Sequence, residues 1–251
     1  MKIGTNNKFV VLTTNRSGSE WVMSTLNRFP NVFAHSELFL PRRQVSEGKW
    51  NSDFAYPRFV ESKVQGVALR PFSVFSYLNT FYGMPGKVGF KLMYKQLGLY
   101  PEILGYLLKH HVRVVHLMRQ NHLDVMLSYA VKAKLGRSHL LAGQSAPEDL
   151  RVQLDTRTLV RNLDWLQEQQ NMARRMLKIF KLPHVEVVYE ELVRNHKLFL
   201  QLADFLDIDS EQQIPEFSLT KIRKEGHRDV IGNYDEVKEV LLHSKFAGLL
   251  E

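Results

Sequence analysis

Phe9-Val10-Val11-Leu12-Thr13-Thr14-Asn15-Arg16-Ser17-Gly18-Ser19-Glu20-Trp21-Val22-Met23 is the stretch whose reading decides the fold. Its first part is apolar and rich in β-branched residues, which predicts a buried strand over 8–14. From Ser19 to about 29 the spacing suits a helix that stops before Pro30. A strand, a tight turn with one Gly and a helix start, in that order, make an anion site. The first turn of a helix leaves backbone N–H groups without partners, and the macrodipole adds about half a positive charge there. Phosphate or sulfate fits such a cradle.

Outward from this stretch the same alternation repeats. Val32-Phe33-Ala34 reads as a second strand with His35-Ser36-Glu37 at its carboxyl end. Further strands are expected over 88–93, over 112–118 with Arg119 at its end, and over 185–189. Helices are expected over 71–82, 101–110, 122–135, 155–180 and 192–206, and again from Asn233. The pattern predicts an α/β fold, a P-loop-like three-layer sandwich with a central, mainly parallel five-stranded sheet flanked by helices. Ligands of such sheets lie at the carboxyl ends of the strands. Without an internal repeat or low-complexity linker, residues 1–251 read as a single domain. Residues 41–70 form an irregular excursion suited to a substrate lid, 138–152 a polar loop, and 218–232 a basic C-terminal loop.

Composition narrows the function classes. With 44% apolar residues in 251, a substantial core is available. No apolar run reaches the ~18 residues of a spanning helix, and a signal peptide's blocks are missing, so a cytoplasmic protein without membrane contact is expected. Zero Cys excludes disulfides, thiolate nucleophiles and zinc-thiolate sites. The +8 formal charge attracts anions, but the basic residues are interleaved with acidic ones, which speaks against nucleic acid. The ten His include no HExxH, and no metal site is expected. The turn after the first strand lacks the second Gly and the Lys of a Walker A loop, which lowers a kinase reading.

Arg16-Ser17-Gly18-Ser19-Glu20-Trp21 resembles the 5′-phosphosulfate loop of the sulfotransferases that use 3′-phosphoadenosine 5′-phosphosulfate, with Arg16 where many members have Lys. Val114-Val115-His116-Leu117-Met118-Arg119 followed by Ser128 is similar to the family's second motif, an Arg and a Ser on the 3′-phosphate. Their separation of nine residues is like that of bacterial members related to the Nod-factor and trehalose sulfotransferases. Weaker similarities lie at 89–93, 187–192 and 228–236. The resemblance implies a sulfuryl transfer to a hydroxyl of a carbohydrate or small metabolite, with 3′,5′-adenosine bisphosphate as product and no metal. Arg16, Ser17, Gly18, Ser19, Glu20 and Trp21 would hold the donor's 5′ side, Trp21 against the adenine. Arg119 and Ser128, with Arg223, Lys224 or Arg228 of the C-terminal loop, would hold its 3′-phosphate.

Sulfuryl transfer needs a base for the hydroxyl proton and a cation at the departing oxygen. Cytosolic members use a His at the end of the third strand, and here those positions are Leu92, Met93 and Tyr94. Carbohydrate and bacterial members use a Glu, which points to Glu37. Phe33 and Phe39 are expected to keep it poorly solvated, as suits a base. His35 is the alternative, Arg16 the cation, and Lys91 a second cation near the transferring group. Trp50, Phe54 and Tyr56 are candidates to stack on the acceptor. A nucleotide kinase of related fold and a non-catalytic binder of anionic ligands remain the competing readings, and the chain is expected to be a monomer or homodimer.

Overall fold

The computed structural model describes residues 7–39, 57–59, 63–64, 67–68, 70–136, 150–209 and 226–250. The chain divides into two compact units, the first Met1–Met118 with Met172–Phe217, the second Arg119–Asn171 with Ser218–Glu251. In chain order the first carries β1 (Lys8–Thr13), α1 (Ser19–Leu26), β2 (Val32–Glu37), the short β3 (Lys63–Val64) and β4 (Val67–Ala68), α2 (Arg70–Phe81), β5 (Lys87–Met93), α3 (Tyr94–Leu99), α4 (Glu102–Lys109) and β6 (Arg113–Met118). After α5 (His122–Leu135) and α6 (Thr156–Ile179) come β7 (His184–Val188), α7 (Tyr189–Arg194) and α8 (Leu198–Phe205). Then follow α9 (His227–Val230), α10 (Tyr234–Leu242) and a 3-10 turn at Ala247–Leu250.

Five strands in the order β2-β5-β1-β6-β7, all parallel, make the central sheet of the first unit. This is the expected α/β architecture with its five expected strands. β1 is apolar from Phe9 to Leu12, as suits a strand covered on both faces. Val10, Leu12, Phe90, Leu92 and Val114 pack with Val74, Leu78 and Phe81 of α2 and Ile103, Tyr106 and Leu107 of α4. Phe9, Val11, Val115 and Leu117 face the other way, onto Val22, Met23 and Leu26 of α1 and Phe199, Leu202 and Ala203 of α8. Three layers result. Each such side chain contributes about 1.5–3 kcal/mol by leaving water.

Short polar side chains redraw several expected boundaries. Helix α1 ends at Leu26, because Asn27 turns its amide onto β2, donating to Ala34 O (2.7 Å) and accepting from Ala34 N (2.6 Å). An edge strand is thereby satisfied by a side chain. Helix α3 starts directly off β5, where Gln96 Oε1 accepts from Met93 N at 2.9 Å. The helix expected over 192–206 is two, α7 and α8, divided at Asn195, whose side chain accepts from Lys197 N. Only 226–232 of the expected basic loop is described, and it contains α9.

The second unit has its own core. Leu123 and Leu127 of α5, Leu159 and Leu163 of α6, and Val237 and Leu241 of α10 enclose Val152, Val230 and Ile231. Val152 and Ile231 form a parallel bridge, and Asn233 bonds both backbone groups of Leu154. Among the described residues no helix is long and apolar enough to cross a membrane.

Candidate functional site

β1 stands at the centre of the sheet, with β5 on one side and β6 on the other, so the loop leaving its carboxyl end lies where the strand order reverses. Ligands of open α/β sheets gather there. The loop is held from within. Thr13 Oγ1 bonds both Leu117 O and Ser17 Oγ at 2.7 Å. A hydroxyl has one proton and a carbonyl only accepts, so Thr13 donates to Leu117 and accepts from Ser17. Arg16 (φ 64°) and Gly18 (φ 82°) are both left-handed. Gly18 caps α1, its carbonyl accepting from Trp21 N and Val22 N. A Cβ on it would stand 2.1 Å from Tyr189 Cε2, so only Gly fits. Trp21 in turn meets Tyr189 and Phe199 edge-on, at 5.8 and 5.2 Å between ring centroids.

At the same edge lies a buried cation. Lys91 of β5 is 4% exposed; its ammonium bonds Glu20 Oε1 and lies 3.5 Å from Glu37 Oε1. Gln96 Nε2 donates to the other Glu37 oxygen at 3.0 Å, so the carboxylate is held in one orientation. A break in register makes this possible. His35 pairs with Phe90 and Glu37 with Lys91, one position short of regular pairing, and the irregularity between them moves Glu37 to the other face of β2. Strict alternation puts His35 and Glu37 side by side; the structure separates them. His35 meets the ring of Phe81 at 5.4 Å, among core aromatics. The apolar surroundings expected for Glu37 are likewise absent from its described partners. Phe39 is buried in the core, and Phe33 is partly exposed and lies by Gly86.

An imidazole that the sequence reading passed over lies on the opposite face. His116 of β6 is fully buried, and its Nε2 shares a hydrogen bond with Tyr94 Oη at 2.9 Å. Burial lowers the imidazole from its ordinary 6.5 to about 4, Glu186 opposing and Arg174 and His184 assisting, so it is neutral at pH 7. Burial also pushes the Tyr94 phenol well above its ordinary range. The signal was a polar residue inside the otherwise apolar run Val114–Met118. Its partner could not be read, because β1 lies between β5 and β6.

In the second unit Arg119 anchors a different cluster. Arg119 Nη2 donates to Asp124 Oδ2 at 2.7 Å, and Asp124 Oδ1 lies 2.9 Å from His227 Nε2. Gln170 Nε2 donates to Arg119 O at 2.9 Å, and Asn121 caps α5 by accepting from Asp124 N. Ser128, partly buried, follows Asp124 by one helical turn and shares its face of α5. Arg228 is exposed, over the ring of Tyr234 and 4.0 Å from Asp235. Arg223, Lys224, Trp50, Phe54 and Tyr56 lie outside the described residues.

No protein-family model matches the chain, and no curated protein does. Among the described residues no three His, Asp or Glu converge as metal ligands would. Of the residues singled out from sequence, the first unit brings together Glu20, Lys91 and Glu37 at the sheet edge that also bears the loop from Arg16 to Ser19. The second brings Arg119 to Asp124 and His227, a partnership that neither motif disclosed.

Proposed function

We propose that the protein is a sulfotransferase that moves a sulfuryl group from 3′-phosphoadenosine 5′-phosphosulfate to a hydroxyl of a carbohydrate or small metabolite. The observation that carries this reading is the buried Lys91 flanked by Glu37 and Glu20, at the strand edge that also bears the left-handed Arg16–Gly18 loop. A helix N-terminus and Arg16 suit an anion; a fixed carboxylate suits a proton acceptor.

In this reading the acceptor oxygen attacks sulfur as Glu37 takes its proton. The bond from sulfur to the 5′-phosphate oxygen breaks, and that oxygen leaves with the electron pair. Arg16, the first N–H groups of α1 and the Lys91 ammonium stabilise the charge that develops there. Glu20 draws Lys91 toward α1. Gln96 and Lys91 aim Glu37. Assignment of the 3′-phosphate to Arg119 and Ser128 rests on the resemblance, and an Arg fork beside a helix hydroxyl suits that group chemically.

The test is titration with 3′,5′-adenosine bisphosphate, followed by incubation of a metabolite extract with enzyme and labelled donor. Binding with transfer to a hydroxyl compound is expected. Magnesium-dependent consumption of a nucleoside triphosphate, with no affinity for the bisphosphate, would show a kinase instead. Affinity without transfer to any acceptor would leave a binding protein. A Glu37→Gln variant should bind the bisphosphate normally and lose about 10²–10⁴ in turnover; full turnover would remove Glu37 from the base role.

A further inference from the structure

Asp124 is the third residue of α5, where any acidic side chain gains from the helix dipole. Its contacts go further than that. The cap is already supplied by Asn121, and both carboxylate oxygens are engaged elsewhere, Oδ2 by Arg119 and Oδ1 by His227. A carboxylate only accepts, so His227 Nε2 carries the proton in this bond. His227 opens the segment 227–232, which is closed on itself by Ile231 N to His227 O and fastened to the core by Val152 N to Val230 O and Gly232 N to Val152 O. His227 and Ile231 are both buried. One carboxylate therefore holds Arg119 with one oxygen and this segment with the other.

We infer that Asp124 is a positioning residue that couples the seating of residues 227–232 to the anion affinity of Arg119. The part concerning the nucleotide rests on the sulfotransferase reading, in which Arg119 meets the 3′-phosphate. The coupling is reciprocal: whatever the seated segment adds to anion binding, the anion adds to its seating.

Two readouts on the full chain test it. The first is hydrogen exchange at the Ile231 and Gly232 amides. Asp124→Asn and His227→Ala should speed it by about tenfold, the worth of one charge-assisted hydrogen bond, while His227→Gln, which keeps a donor, stays nearer wild type. Exchange unchanged in both Asp124→Asn and His227→Ala would overturn the inference. The second readout compares affinity for 3′,5′-adenosine bisphosphate with that for adenosine 5′-monophosphate. His227→Ala should weaken the bisphosphate by about tenfold relative to the monophosphate, with recovery in His227→Gln. An equal loss for both ligands would indicate mere unfolding and overturn it. If the wild type shows no preference for the bisphosphate, the 3′-phosphate assignment fails separately. The coupling is then decided with inorganic phosphate, which should slow exchange at Ile231 in the wild type and not in Arg119→Ala; no slowing overturns it.

Discussion

Replacing Gly18 by Ala tests the reasoning about the loop at its tightest point. Two costs are separable. An L-residue in the left-handed region costs roughly 1–2 kcal/mol, and Gly18 has φ 82°. The added Cβ would also stand 2.1 Å from Tyr189 Cε2 and 2.3 Å from Cδ2, far inside the ~3.5–4.0 Å of a carbon contact. Such overpacking costs about 1–3 kcal/mol. Gly18→Ala should therefore destabilise the protein by about 2–5 kcal/mol. In a Tyr189→Ala background the ring is gone and only the backbone cost of about 1–2 kcal/mol remains. Urea unfolding of the four proteins in the cycle, followed by far-UV circular dichroism, should give an interaction energy of about 1–3 kcal/mol. The same Gly18→Ala cost in both backgrounds would refute the steric account and leave backbone conformation as the whole explanation.

Other perturbations probe the surroundings. Lys91→Met leaves Glu37 and Glu20 without their shared cation and should cost about 3–5 kcal/mol, less to the extent that Glu20, 32% exposed, relaxes into water; adding Glu37→Gln should recover part of the loss in chemical denaturation, and no recovery would mean that Lys91 does not neutralise Glu37. His116 has a folded-state pKa of about 4 against an ordinary 6.5, so between these values the unfolded chain binds a proton that the folded one does not. Stability should fall by about 3 kcal/mol as pH drops through that window, and His116→Gln should flatten this part of the profile; parallel profiles would contradict the neutral buried imidazole. Asn27→Ala removes both side-chain bonds to Ala34 and should cost about 2–3 kcal/mol with faster exchange at Ala34 N, whereas unchanged exchange would mean that the edge of β2 is satisfied by other means.

Much of the architecture was legible in the chain because it rests on local, periodic signals. The uninterrupted apolar run at Phe9–Leu12 requires cover on both faces, and the regular change from β-branched runs to helical spacing requires a parallel sheet. The turn between them is also local: Gly18 permits the left-handed cap, and Ser17 follows Thr13 closely enough to bond it. Boundaries governed by competing side-chain bonds were less legible. Gln96 draws α3 onto β5, Asn195 divides α7 from α8, and neither residue type signals a helix boundary strongly by itself.

The candidate sites divide in the same way. By itself the sequence determined which groups stand in or just beyond the carboxyl halves of strands, Arg16, Glu37, Lys91 and Arg119, because a strand's direction and end are read along the chain. Only the tertiary structure decided which of them meet. The irregularity in β2 carries Glu37 away from His35 and onto the face of Lys91, and a one-residue change in register reverses the face of every side chain after it. Strand order places His116 against Tyr94, and packing brings His227 to Asp124 across a hundred residues of chain. These partnerships depend on register and on contacts between distant segments, and neither leaves a period in the sequence.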